Sequence, residues 1–383
     1  MMVWIGIFGI LAVLAILLSV WITSKNSTSD SFAEKQLIVK FVDDTPVEKI
    51  EEINKKMKCT LLDENTDLGI QVIQSKRSVK RMLKKYNKFA EIEYVEPNYI
   101  YKASYQPNDT YFSYQYAPNK IEAPSAWDIT QSNSTIRIAI VDTGVQLNHP
   151  DLVNKLLPGY DFVNRDASPE DGNGHGTHVA GIAAAMTNNA RGIAGIAPLA
   201  SILPVRVLDN NGSGLLSDIA NGIIYAVNQG AQVINLSLGG AQGATTLQNA
   251  IDYAWSRGAV IVAAAGNNGV STPTYPANYS NVIAVASTDS ADRKSSFSNY
   301  GRWVEVAAPG SNILSTYTGS YYAYLDGTSM ASPQVAGLAA LLAGQGRSNT
   351  EIRSIIQNTA DPVPGTGTYW IYGRVNANRA VRS

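Results

Sequence analysis

Apolar positions along the chain fall into three regimes. From Val3 to Ile22 they are almost continuous, interrupted only by Ser19 and two glycines, a run long enough to span a bilayer. Between Gln36 and Tyr101 alternation and helical spacing take turns. Gln36 to Val42 alternates and predicts a strand. Pro46 then opens a helix over Val47 to Met57, with Val47, Ile50, Ile53 and Met57 on one face. Leu68 to Ile73 alternates again, and Val79, Leu83 and Tyr86 mark a second, basic helix. Glu91 to Tyr101 closes the region with Ile92, Tyr94 and Val95 and a turn expected at Pro97-Asn98. The β-α-β-β-α-β order is that of a small ferredoxin-like α+β unit. From Ala123 onward, wholly apolar runs alternate with helical patterns. Strands are expected at 136–141, 202–207, 232–237, 259–264 and 282–287, with 303–307 antiparallel or at an edge. Helices are expected at 176–186, 216–229, 245–257, 330–343 and 350–358. Apolar strands alternating with helices predict an α/β fold: a doubly wound, mostly parallel sheet covered on both faces.

Composition narrows the picture. The 383 residues are 45% hydrophobic and 16% charged, enough for a sizeable core. The net charge of −1 argues against a nucleic-acid partner. Cys59 is the one cysteine, so no disulfide forms within the chain. Lysine is uneven: after Tyr105 only Lys120, Lys155 and Lys294 occur. The N-terminal run has no basic residue before it and no clean A-x-A cleavage site after it, Ser31-Phe32-Ala33 being a weak one. Its residues leave a cleaved signal peptide and a retained anchor both open. The chain therefore divides into 1–33, a signal or anchor, 34–104, the α+β unit, and 105–383, the α/β domain.

Three stretches carry chemistry. In Ile136 to Val145, a buried strand ends in Asp142 before a Gly turn. In Asn173 to Ala183, a glycine-rich loop ends in His175, which opens a small-residue helix. In Gly327-Thr328-Ser329-Met330-Ala331-Ser332-Pro333, Ser329 stands at or next to the start of an Ala- and Leu-rich helix. Taken alone, Ser329 reads as an N-cap. Together the three lie at strand ends and helix starts, where sites assemble in an open α/β sheet. A serine hydroxyl needs an adjacent base to become a nucleophile, and His175 is of the type that takes and returns the proton. His175 and His178 share helical spacing, but a zinc site wants further N or S ligands, and none stand nearby. His149, before Pro150, reads as a turn residue, and His178, one helical turn beyond His175, as one that packs or caps internally.

The order Asp, His, Ser with these motifs, together with Gln115-Tyr116, Ala126-Trp127-Asp128-Ile129 and Gly365-Thr366-Gly367-Thr368-Tyr369-Trp370, resembles the subtilisin-like serine proteases, and their thermitase-like branch in particular, from about Tyr105 to the C-terminus. The resemblance implies a serine endopeptidase with Asp142, His175 and Ser329 as its triad and Asn267, in Ala264-Ala265-Gly266-Asn267, as side-chain donor to the oxyanion. It implies peptide-binding edges at Ser237, Leu238 and Gly239 and at Gly212, Ser213 and Gly214, an S4 position at Leu216, and S1 walls that include Ala264 and Gly266. With no charge at S1, broad specificity with apolar or aromatic P1 residues is expected. It also implies Ca2+, one to three structural ions. The strong site would use Asp109, Asp151 and Asn189 with the carbonyls of Met186, Arg191 and Ile193. A second would use Asp161, Asn164, Asp166, Ser168 and Glu170, weaker because Asn164 stands where Asp is usual. A third, weak one would use Ala277, Tyr279 and Val282 carbonyls with Glu305.

By the same resemblance, 34–104 is a propeptide acting on its own domain as intramolecular chaperone and inhibitor. Autocleavage is expected near Ser104. An independent ligand-binding module remains the alternative on pattern alone. Secretion follows, with protein and peptide substrates and a monomeric enzyme. Two other function classes compete. A binding module that keeps the fold without turnover would be expected to lack part of the catalytic set, which is complete here. An α/β-hydrolase esterase wants G-x-S-x-G, where Ala331 stands instead of the second Gly, and the reverse residue order.

Overall fold

The computed structural model describes residues 32–100 and 106–383. The expectations for Val3 to Ile22 and for cleavage near Ser104 lie outside the described residues. Among those described, no helix is long and apolar enough to cross a membrane. The chain divides into two compact units, with the division between Ala103 and Ser104.

The N-terminal unit runs β1 (Phe32–Phe41), α1 (Val47–Met57), β2 (Cys59–Asn65), β3 (Ile70–Ser75), α2 (Val79–Tyr86) and β4 (Ile92–Tyr99). Its sheet is antiparallel with strand order β2-β3-β1-β4. Leu37, Val39 and Phe41 on β1 alternate inward to meet Ile53 and Met57 of α1 and Met82 and Tyr86 of α2, as period-2 and period-3.6 patterns require. The first middle strand of the β-α-β-β-α-β order is Cys59–Asn65, whose mostly exposed side chains carry no apolar alternation to mark it. One expectation is corrected. The Pro97-Asn98 turn does not form: β4 runs straight through both residues. Proline cannot donate to a ladder, and β4 is an edge strand, where that costs little.

The C-terminal unit begins with two short helices, α3 (Tyr116–Lys120) and α4 (Ala123–Trp127). Then come β5 (Arg137–Asp142), β6 (Tyr160–Asp161), α5 (His175–Ala184), β7 (Ser201–Arg206), α6 (Leu216–Asn228), β8 (Val233–Leu236), α7 (Thr245–Ser256), β9 (Val260–Ala264) and β10 (Val282–Thr288). β11 (Val306–Pro309) and a hairpin, β12 (Ile313–Tyr317) and β13 (Tyr321–Leu325), lead into α8 (Thr328–Gly344), followed by α9 (Asn349–Thr359), β14 (Gly373–Arg374) and α10 (Ala377–Val381). Eight strands form one sheet in the order β14-β11-β10-β9-β8-β5-β7-β6, parallel at every pairing. The stretch expected at 303–307 is therefore neither antiparallel nor an edge: its strand starts at Val306 and lies between β10 and β14.

Alternation splits each apolar strand between two cores. Ile138 and Ile140 face α5 and α8, while Ala139 and Val141 face α6 and α7. Both faces are buried, which is why these strands read as continuous apolar runs. After β5 the chain moves outward to β6 and β7, then crosses to β8 on the other side. The switch point lies between β5 and β8, and crevices form at the carboxyl ends of strands there.

Candidate active site

Asp142 is the last residue of β5 and is fully buried. Its Oδ1 accepts hydrogen bonds from the Thr143 backbone N–H at 2.7 Å and from His175 Nδ1 at 2.7 Å. The bond fixes the tautomer and leaves Nε2 of His175 facing the cleft. His175 opens α5 behind Gly174, whose φ of +106° suits glycine. The next residue must be small: a Cβ at Gly176 would lie 2.1 Å from the Gly144 carbonyl oxygen. Burial opposes charge on the imidazole, yet the Asp142 charge and hydrogen bond, with a further contribution from Asp171, leave its pKa raised.

Ser329 is the second residue of α8, whose N-cap is Gly327, so the capping role does not apply to it. Its Oγ donates to the Ser237 carbonyl at 3.2 Å, and the link to His175 is not made in this structure. Ser237, just beyond β8, grips the same residue from its other side. Its Oγ donates to the Ser329 carbonyl at 2.9 Å and accepts from Asn235 Nδ2 and from Ser332 Oγ. The reason is Pro333. It sits four residues after Ser329 inside the helix and has no N–H to give the Ser329 carbonyl. The Ser237 hydroxyl supplies the missing donor.

Asn267 lies exposed just beyond β9. Its Oδ1 accepts from the Thr328 N–H and from Thr328 Oγ1, both at 2.9 Å. A backbone N–H can only donate, so the atom facing it is the oxygen, and the amide NH2 turns away as a free donor. Thr328 Oγ1 also accepts from the Gly266 N–H at 3.0 Å. Thr328, Asn235 and Ser332, and the grip of Ser237 on the Ser329 carbonyl, escape pattern reading, because small polar residues in apolar runs give no local signal of such a role.

A groove of about 640 Å3 opens beside His175. Gly212, Ser213, Gly214, Leu216, Ser237, Leu238 and Gly239 line it, together with Leu247 and Tyr275. No Asp, Glu, Lys or Arg lines it. Ala264 and Gly266 are not among its walls: Ala264 is buried at the end of β9, and Gly266 is tied to Thr328.

The candidate cation ligands separate into three cases. Asp109 and Asp151 are both buried, and among the described residues neither forms a salt bridge. Burial pushes the Asp109 carboxyl up. Burial, with a contribution from Asp109, pushes Asp151 up to about 6 against hydrogen bonds from the Ile193 N–H and Asn189 Nδ2. The Met186 N–H bonds the Asp151 carbonyl, and the Arg191 N–H bonds Asn189 Oδ1. Two buried carboxylates from separate segments, without a counter-charge and both facing the 186–193 loop, fit a hard cation. The second cluster fits less well. Buried Asp161 already pairs with Arg206 at 2.6 Å and accepts from Asn164, Asp166 accepts from the Ser168 N–H, and Glu170 accepts from the Leu147 N–H. The third does not fit. Glu305 pairs with Arg353 and accepts from Gln357 Nε2, and the same guanidinium reaches the Val282 carbonyl. A cationic side chain stands where the ion was expected. Ala277 is core there, and the Tyr279 hydroxyl bonds Ala244. No cluster of three His, Cys, Asp or Glu forms a metal centre among the described residues.

His178 is internal, as expected, and His149, expected in a turn, is also fully buried. His149 Nδ1 accepts from the Asp151 N–H and its Nε2 donates to the Tyr321 carbonyl. His178 Nε2 donates to the Ile313 and Ala323 carbonyls, bridging both strands of the β12–β13 hairpin.

Comparisons with known proteins agree with this geometry. Residues 133–376 match the profile of the subtilase family, and residues 22–98 match that of the fervidolysin N-terminal prodomain. The chain is 54% identical over 353 residues to the thermophilic serine proteinase of Bacillus sp. (strain AK1), covering 92% of this chain and 88% of that one. It is 64% identical over 279 residues to thermitase of Thermoactinomyces vulgaris, covering 73% of this chain and 100% of that protein. Among solved structures, a protease of Pseudoalteromonas arctica PAMC 21717 superposes with a TM-score of 0.69 at 38% identity, over 73% of this chain and 99% of that one. With a triad-type Asp–His pair, a serine at a helix start and a parallel sheet beneath them, this chain belongs to the subtilase family of serine endopeptidases.

Proposed function

We propose that the protein is a secreted, calcium-stabilised endopeptidase of broad specificity, made as a self-processing zymogen. Ser329 Oγ attacks the scissile carbonyl carbon while His175 Nε2 takes its proton. His175 then returns that proton to the leaving amine, and a water molecule repeats the sequence to release the acyl group. Asp142 holds the imidazole and its cation. The Asn267 amide and the Ser329 N–H receive the oxyanion. The observation that carries this reading is the 2.7 Å Asp142–His175 bond opening onto an uncharged groove. The preference for apolar or aromatic P1 residues rests instead on the uncharged S1 walls expected at Ala264 and Gly266. Edges at Gly212 to Gly214 and Ser237 to Gly239 suit an extended peptide bound through its backbone. Calcium would be held by Asp109, Asp151 and Asn189 with the Met186, Arg191 and Ile193 carbonyls, where it would neutralise two buried carboxylates and stabilise the folded state.

The prodomain match supports the zymogen reading, with residues 34–104 as chaperone and inhibitor, a monomeric mature enzyme from about 105 onward, and export through the N-terminal run. The test is the intact mass of two purified precursors, wild type and Ser329→Ala, each incubated with calcium. The expected result is that the wild type loses everything before about Tyr105 and the variant stays whole. If both stay whole, the self-processing reading fails. If both are cut alike, an outside protease does the work.

A further inference from the structure

Asp171 has entered so far only through its charge near His175. It is 5% exposed, and among the described residues it forms no salt bridge. A buried carboxylate without a cation is costly unless donors surround it. Five do. Oδ1 accepts from Thr143 Oγ1 and from the Asn173 and Gly174 N–H groups, each at 2.9 Å. Oδ2 accepts from the Thr177 N–H at 2.9 Å and Thr177 Oγ1 at 2.6 Å. Two of these partners reach the triad. Thr143 follows Asp142 and donates its own N–H to the Asp142 carboxylate, while its Oγ1 accepts from the Gly176 N–H. Thr177 lies in the first turn of α5, two residues after His175, and its Oγ1 accepts from the Gln146 N–H. One carboxylate thus joins the turn after Asp142 to the turn that presents His175.

We propose, resting on the assignment of His175 as general base, that Asp171 is a positioning residue: a second buried carboxylate that locks His175 against Asp142 through Thr143 and Thr177 and adds its charge to the field that steadies the imidazolium. Among the described residues, the charged and titratable groups around His175 are few. They are Asp142 on β5, Asp171 in the preceding loop, His178 on the same helix, which burial holds neutral by lowering its pKa to about 4, and the Tyr317 phenol on β12, which donates to the Asn173 carbonyl. Only the two carboxylates carry charge at neutral pH.

The position and the charge separate by substitution. Asp171→Asn removes the charge and turns a donor toward Thr177. Thr143→Val and Thr177→Val keep the charge and remove one donor each. The assay is peptide amide hydrolysis by the mature enzyme, with the pH profile of kcat/KM and the split of kcat from KM, on proteins checked for folding by circular dichroism. The acid limb reports the free-enzyme His175. Losing a nearby anion makes the imidazolium less stable, so in Asp171→Asn that limb should move to lower pH by about half a unit, with kcat down about tenfold and KM nearly unchanged. The two threonine variants should lower kcat roughly two- to tenfold and leave the limb in place. A folded Asp171→Asn with the wild-type limb and kcat within twofold overturns the proposal. If Asp171→Asn does not fold, wild-type kcat in both threonine variants overturns it. Ser329→Ala run alongside tests the underlying assignment separately: full activity there removes the general-base reading itself, whatever Asp171 does.

Discussion

Thr328→Val tests how the oxyanion donor is held. Thr328 is fully buried and its Oγ1 makes two hydrogen bonds, one to Asn267 Oδ1 and one from the Gly266 N–H. Valine keeps the shape and loses both. On the catalytic side, Asn267 retains the bond from the Thr328 N–H, so its amide is loosened rather than freed. One lost bond of about 1 kcal/mol, felt in the transition state, is roughly a fivefold fall in kcat. KM should barely change, because the oxyanion exists only after attack. On the stability side, the Gly266 N–H loses its acceptor, at about 1–3 kcal/mol, or a fall in Tm of roughly 2–12 °C for a unit of this size. The assay is a double-mutant cycle with Asn267→Ala, reading kcat on a peptide anilide and Tm by scanning calorimetry. Asn267→Ala alone should cost about 10²–10³ in kcat, the figure known for the corresponding donor of subtilisin, a member of the same family. On that background Thr328→Val should leave kcat almost unchanged while still lowering Tm. An undiminished fivefold loss in the Asn267→Ala background would refute the argument that the hydroxyl acts through Asn267.

Other consequences are open to measurement. Arg206→Met strands the buried Asp161 carboxylate and should cost about 3–5 kcal/mol in urea unfolding, with Asp161→Asn added on top recovering part of the loss; equal stability of Arg206→Met and wild type would contradict the pairing. Burial lowers the His178 pKa to about 4, below its ordinary 6.5. The unfolded chain therefore binds a proton that the folded one refuses between those values, and stability should fall by ~3 kcal/mol as pH drops from 6.5 to 4. Urea titrations across that window should show a shallower fall in His178→Gln; identical slopes would assign the acid loss elsewhere. Chelation should lower Tm in the wild type and do less in Asp151→Asn, where one carboxylate of the proposed calcium site is neutral; an equal effect in both would move the ion to another place.

Much of this architecture was legible because burial on both sides of the sheet writes itself into sequence. Val260 to Ala264 and Val282 to Ala286 are apolar without a break, as a doubly covered parallel strand requires. The helix at Val47–Met57 could be bounded from Pro46 and the spacing of its apolar face. What stayed hidden depends on partners far along the chain. Val306–Pro309 is too short to announce that it is covered on both sides, and β14 is a strand only because β11 pairs with it. Glu305 and Asp161 looked like cation ligands because Arg353 and Arg206 lie more than forty residues away in sequence. Asp171 was passed over for a related reason. Asp166, Glu170 and Asp171 share one loop, and nothing local distinguishes the one whose five donors come from three separate turns.

Pro333 divides α8 mechanically. Beyond it the helix is held by its own ladder. Before it, the carbonyl of Ser329 answers to Ser237, a residue mounted on the sheet. The nucleophile therefore takes its coordinates from β8 rather than from the helix that carries it in sequence. A small tilt of α8 against its neighbours would leave Ser329 tied to the substrate edge that the same stretch of chain provides.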